Sequence, residues 1–124
     1  MRVLIIDDSR ATRAILKRMV TELGFDAAEA ENGQDGLARL SALGTVDLVL
    51  VDWNMPTMNG YEFLTAVRAD PKHAGIPVVM VTTETEISQL SKALESGASE
   101  YIMKPFTKDV LREKLALLGL VPAF

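Results

Sequence analysis

The 124-residue chain has no cysteine and a single histidine, His73. Disulfides and thiol catalysis are therefore excluded, and a thiolate or imidazole metal centre has almost nothing to draw on. Positive charge is not in excess either: 13 Lys and Arg stand against 17 Asp and Glu, for a net charge of −4. That balance lacks the basic footprint of a nucleic-acid binder and the polybasic cluster of a peripheral membrane protein. No apolar run approaches the length needed to span a bilayer. Only Val3 to Ile6 are continuously apolar before Asp7 and Asp8, which is too short for a secretory leader. The expectation is a cytoplasmic protein with no nucleic-acid and no membrane partner. Linkers, repeats and low-complexity segments are also missing, so residues 1–124 read as one compact domain.

What is present is an alternation of short apolar runs with helix-period segments. Val3 to Ile6 reads as a buried strand. Ala11, Ile15, Met19, Val20 and Leu23 follow at helical spacing, and Gly24 stops that helix. Phe25 to Glu29 reads as an edge strand, and 33–43 as a helix with Leu37 and Leu40 on one face. Val46 to Val51 is the strongest strand, with Asp52 immediately after it. A turn-rich loop through Asn54, Pro56, Asn59 and Gly60 leads to a helix from Tyr61 to Arg68. Pro77 to Val81 is another strand, and Ile87, Leu90 and Leu94 mark a helix that ends at Gly97. Tyr101 to Met103 is a short strand, and Thr107 caps a last helix running to Leu118. This β-α alternation predicts an α/β fold, a parallel sheet covered by helices on both faces. Open sheets of that kind hold ligands beyond the carboxyl ends of their strands.

The residues just past the strands carry the functional reading. Asp7 and Asp8 follow the first strand, Asp52 the third, Thr82 and Thr83 the fourth, and Lys104 the fifth. Taken singly, each has a bland reading: a turn or cap aspartate, an N-cap threonine, a solvated lysine. Together they bring three carboxylates and one ammonium to a single rim, a local charge near −2 that needs neutralising. A hard divalent cation with oxygen ligands does so. Mg2+ fits, because it takes few protein carboxylates and bridges to phosphate, whereas calcium wants a larger oxygen cage and zinc wants His or Cys. A carboxylate so placed is a nucleophile toward a phosphoryl group. Lys104 and the Thr82 hydroxyl would then neutralise and hydrogen-bond the phosphoryl oxygens. Trp53 is expected to be a half-exposed residue over the acidic rim, the methionines core filler, and His73 a surface-loop residue.

Four segments carry a resemblance. They are Leu-Ile-Ile-Asp-Asp-Ser at the start, Asp-Trp-Asn-Met-Pro-Thr-Met-Asn-Gly from Asp52, Met-Val-Thr-Thr-Glu from Met80, and Gly-Ala-Ser-Glu-Tyr-Ile-Met-Lys-Pro-Phe from Gly97. In these the chain resembles bacterial response-regulator receiver domains of the chemotaxis type, over essentially its whole length. The resemblance implies a three-layer, doubly wound flavodoxin-like fold with strand order 2-1-3-4-5, as a single receiver domain without an output domain. It implies that Asp52 accepts phosphate from a sensor histidine kinase, and that Asp7, Asp8, Asp52 and the backbone carbonyl of Asn54 hold Mg2+. Thr82 and Lys104 would contact the phosphoryl group, Thr82 and Tyr101 would form the switch, and Asn54 and Glu84 would tune dephosphorylation. The Lys104–Pro105 bond would be cis.

Output would pass through the face made by the fourth helix, fifth strand and fifth helix, to a flagellar motor switch or another motility component. Ile87, Leu90, Leu94, Met103, Phe106 and Lys114 are the expected contributors, and a phosphatase is a further possible partner. Glu86 and Ile87 stand where such proteins often carry lysines, and Ser9 where an aromatic is frequent, so a strongly acidic motor peptide is expected to bind less well. Other readings share parts of the pattern. A phosphorelay shuttle, passing phosphate to a histidine phosphotransfer protein, uses the same residues. A turnover phosphatase would need a second carboxylate beside Asp52, where Trp53 and Asn54 stand, so the chain is not read as an enzyme. A flavin carrier would need a Ser/Thr/Gly phosphate cradle where Asp7-Asp8-Ser9-Arg10 stands.

Overall fold

The computed structural model describes residues 1–83 and 88–120. Strands and helices alternate along them: β1 (Arg2–Ile6), α1 (Arg10–Glu22), β2 (Asp26–Ala30), α2 (Gly33–Leu43), β3 (Leu48–Asp52), α3 (Gly60–Ala69), β4 (Val78–Thr82), α4 (Leu90–Glu95), β5 (Glu100–Met103) and α5 (Lys108–Leu117). The strands form one parallel sheet in the order β2-β1-β3-β4-β5. This is the flavodoxin-like order expected above.

The two central apolar strands, Leu-Val-Leu-Val-Asp and Val-Val-Met-Val-Thr, are buried at every position. Continuous burial requires cover on both sides of the sheet. Leu16 and Val20 of α1 and Leu111 and Leu115 of α5 pack on one face. Leu40 of α2, Phe63, Leu64 and Val67 of α3, and Ala93 of α4 pack on the other. Strand β2, Asp-Ala-Ala-Glu-Ala, sits at an edge, where small and charged side chains suffice.

Most helix starts are capped by their own sequence. The side chains of Ser9, Asn32, Asn59 and Thr107 accept from the N–H groups of Thr12, Asp35, Glu62 and Val110. Glu62 returns the favour to the Asn59 N–H, closing a capping box. Each such cap contributes about 1 kcal/mol. Helix α4 differs: Gln89 gives it no side-chain cap, and Ala93 is its buried residue.

Several expectations need correction. Along α1 the expected Val20 and Leu23 are buried and Met19 packs against them, but Ala11 and Ile15 are exposed, Ile15 by 56%, and Leu16 takes the buried position instead. Trp53 is 6% exposed and lies in the core under α3, not over the rim, because its N–H bonds Val81 O and its own O accepts from Gly60 N. His73 is buried too, its Nε2 4.0 Å from Asp70 Oδ2, in a turn closed by His73 N on Asp70 O. Val46 and Asp47 precede β3 rather than join it, since Asp47 binds the main chain of Arg2. Strand β2 begins one residue after Phe25, with Asp26 opposite Arg2.

Two local features fix the ends of the sheet. A Cβ on Gly60 would meet Asp52 O at 2.5 Å, so only glycine lets α3 start this close to the end of β3. At the opposite end, Arg68 of α3 donates to Gly97 O at 2.9 Å, Ala74 O at 2.9 Å and Ile76 O at 2.7 Å, tying three chain segments together.

Candidate functional site

The carboxyl ends of β1, β3, β4 and β5 bring Asp7, Asp52, Thr82 and Lys104 to one place. Asp7 and Asp52 are both buried, while Asp8 beside them is exposed. Asp7 is tightly held: its Oδ1 accepts from Ser9 N at 2.8 Å and its carbonyl from Arg13 Nη1 at 2.6 Å. Asp52 closes β3 opposite Val81.

Lys104 crosses the rim. Its Nζ donates to Asp7 Oδ2 at 3.1 Å and to Asp52 Oδ1 at 3.3 Å. Its own N–H bonds Thr82 O at 2.7 Å, and the cis Lys104–Pro105 bond expected from the sequence is present. Burial by itself pulls the ammonium's pKa down, but the Asp52 and Asp7 charges and their hydrogen bonds outweigh it and hold the pKa above its ordinary value. The ammonium therefore stays charged at neutral pH. It offsets one of three carboxylates, leaving a local charge near −2.

One oxygen from each of Asp7, Asp8 and Asp52 lies within 4.8 Å of the others. Three hard oxygen donors with surplus negative charge are compatible with a divalent cation of the Mg2+ type. Thr82 completes the rim. It is fully buried, and its Oγ1 meets no hydrogen-bond partner among the described residues. A buried hydroxyl without a partner costs roughly 1–3 kcal/mol, which an incoming acceptor would recover.

Tyr101 is half-buried on the α4 side of the sheet. Opposite Met80 in the register, it shares its face with Thr82, two residues along β4. The Lys114 ammonium lies 4.4 Å from the Tyr101 ring centroid and 3.2 Å from Glu100 Oε1. On the expected output face Leu94 is 43% and Met103 37% exposed, while Leu90, Phe106 and Lys114 are half-buried. Asn54 is exposed in the loop after β3. Glu84, Glu86 and Ile87 lie outside the described residues.

The sequence reading missed what fixes Asp7. Arg13 also pairs with Glu29 at 3.3 Å. The available signal was spacing, since Arg13 follows the Ser9 cap by one helical turn, but its target is a backbone carbonyl and leaves no mark in the sequence.

A family model described as response regulator receiver domain matches residues 3–116. Chemotaxis protein CheY1 of Helicobacter pylori is 41% identical over 119 residues, covering 95% of this chain and 96% of that protein. The chemotaxis protein CheY homolog of Campylobacter jejuni is 44% identical over 116 residues, covering 93% and 89%. Among solved structures, chemotaxis protein CheY4 of Vibrio cholerae aligns with a TM-score of 0.86 at 31% identity, over 94% of this chain and 96% of that one.

Proposed function

The chain belongs to the response regulator receiver domain family, and from that membership we propose that it is a phosphoacceptor switch charged at Asp52 by a sensor histidine kinase and acting in chemotaxis or motility. The observation that carries this reading is the cluster at the sheet's carboxyl end: three carboxylates, one shared ammonium and an unpartnered buried hydroxyl.

In the transfer, a carboxylate oxygen of Asp52 attacks phosphorus and an acyl phosphate forms. The P–N bond to the donor imidazole breaks, its electrons leave with the ring nitrogen, and that nitrogen takes a proton. Asp7, Asp8, Asp52 and the Asn54 carbonyl would hold Mg2+. The ion supplies charge neutralisation for the phosphoryl oxygens. Lys104 exchanges a carboxylate partner for a phosphoryl oxygen, and Thr82 gains the acceptor it lacks.

The phosphoryl group adds roughly one negative charge to Asp52. Thr82 moves toward it, and Tyr101, on the same face of the sheet, takes up the freed space. That change is read by a protein partner on the α4-β5-α5 face, a motor switch or another motility component, and is ended by hydrolysis tuned by Asn54 and Glu84, with or without a phosphatase. No helix among the described residues is long and apolar enough to cross a membrane. The chain assists its own phosphorylation without being a turnover enzyme, and output runs through protein contact.

The test is incubation with acetyl phosphate or phosphoramidate and Mg2+, read by intact mass. One phosphoryl group should be gained, lost with Asp52→Asn or EDTA, and severely reduced with Asp8→Ala. Mg2+ should also quench Trp53, whose ring follows Asp52. Normal labelling of Asp52→Asn would sink the assignment.

A further inference from the structure

Among the described residues, α4 is the shortest helix and the one with the fewest buried side chains. It has six residues, no side-chain cap and one buried side chain, Ala93. Elements with so few buried contacts are the ones that reposition. Two side-chain contacts reach this region from α3. The Tyr61 hydroxyl lies 3.1 Å from Ser96 Oγ, just past the helix, and the Lys92 ammonium lies 4.5 Å from the Tyr61 ring centroid. Lys92 and Ser96 are four residues apart, so one tyrosine engages two successive turns of the same face.

The Tyr61 ring also leads to the site. Its centroid is 6.1 Å from that of Trp53, with the planes tilted by 36°, a spacing at which aromatic pairs attract. Trp53 follows Asp52 directly, and its backbone is held on both sides, by Val81 O and by the N–H of Gly60, the residue before Tyr61. A shift of the Asp52–Trp53 peptide therefore reaches Tyr61 through both the ring and the main chain.

We propose that Tyr61 is a positioning residue that ties the Asp52–Trp53 peptide to α4, giving Asp52 a route to that helix separate from Thr82 and Tyr101; the inference rests on the phosphoacceptor reading above. Thr82 and Tyr101 act across β4 and β5. Tyr61 acts from α3, on Lys92 and Ser96. The two routes meet at the same helix, which is what lets a local charge at one strand end set the position of a weakly anchored element.

The experiment compares amide exchange over residues 90–97, with and without beryllofluoride and Mg2+, in the unmodified chain, Tyr61→Leu, Tyr61→Phe, Ser96→Ala and the double variant Tyr61→Phe/Ser96→Ala. In the unmodified chain beryllofluoride should alter exchange in α4. Tyr61→Leu should shrink that change by roughly two- to tenfold, the range one net hydrogen bond moves, while labelling by acetyl phosphate and the Mg2+ quench of Trp53 persist. Tyr61→Phe, which keeps the aromatic pair and the fold, should give a smaller loss that Ser96→Ala matches. The double variant should be no worse than either single one, since both remove the same bond. An α4 response in Tyr61→Leu equal to that of the unmodified chain overturns the proposal, and so does strict additivity of Tyr61→Phe with Ser96→Ala. If beryllofluoride changes no amide in the unmodified chain, the phosphoacceptor reading has failed and the coupling falls with it, an outcome visible before any variant is made.

Discussion

At each end of the sheet a long cationic side chain gathers several strands' worth of neighbours, and the two do so in opposite ways. Arg68, at the amino end, is met by neutral oxygens: the carbonyls of Ala74, Ile76 and Gly97, and more distantly Ser99 Oγ at 3.4 Å. Four of its five N–H donors are taken up, and its positive charge meets no carboxylate among the described residues. Lys104, at the carboxyl end, is met by two carboxylates with a third close by, beside a buried hydroxyl that has no partner among the described residues. One end has its hydrogen bonds already made. The other carries an excess of negative charge and an open hydrogen-bonding position, the condition of a site that trades stability for response.

The sharpest way to break this contrast is at Asp52. Asp52→Asn should abolish phosphoryl gain entirely while leaving the midpoint of thermal unfolding at or above that of the unmodified chain, because one of three crowded charges is gone. A lower midpoint would mean that the Lys104–Asp52 pair is structural. Arg68→Ala should do the reverse. It strips the donor from three carbonyls and should cost about 2–4 kcal/mol in urea unfolding, with labelling at Asp52 retained in the folded fraction. A loss below about 1 kcal/mol would show that water replaces the guanidinium cheaply.

A smaller effect separates Lys104 as counterion from Lys104 as brace. If the ammonium and Mg2+ share the same carboxylates, Lys104→Ala should tighten Mg2+ binding by roughly three- to tenfold in a Trp53 fluorescence titration, given the size of near-surface charge interactions. It should also uncouple partner binding from phosphorylation. Weaker Mg2+ binding would mean that Lys104 chiefly orients Asp7 and Asp52. The smallest effect is in pH. The Lys104 pKa is raised above its ordinary 10.5, so the stability it contributes is complete below that value and is lost only as pH climbs through the higher folded-state one. The difference in unfolding midpoint between the unmodified chain and Lys104→Met should therefore be flat from about pH 6 to 9 and shrink only in stronger alkali.

These two ends were not equally legible in the sequence. Asp7, Asp8, Asp52, Thr82 and Lys104 stand directly after apolar runs, so strand periodicity alone delivered them to one rim. The family resemblance supplied the strand order, which spacing could not. Arg68 stood at the end of a predicted helix with nothing to mark it, because its partners are carbonyls that every residue has. Trp53 was misplaced for a related reason. Its position after a strand suggested a loop, but its main chain continues to bond β4 and carries the ring under α3. Ile15 shows the limit of periodicity in α1, where alanine and methionine blur the stripe and Leu16 takes the buried position.

The strand order also sets a sequence in time. Strand β1 pairs with both β2 and β3, while β5 is at the far edge. A chain made from its amino end acquires Asp7, Asp8 and Asp52 while Lys104 is still 52 residues behind Asp52. A nascent chain stopped before β5 thus holds the whole acidic rim and none of its built-in counterion. During those seconds of synthesis the cations of the surrounding solution are what balance these carboxylates, until Lys104 and the α5 residues after it emerge.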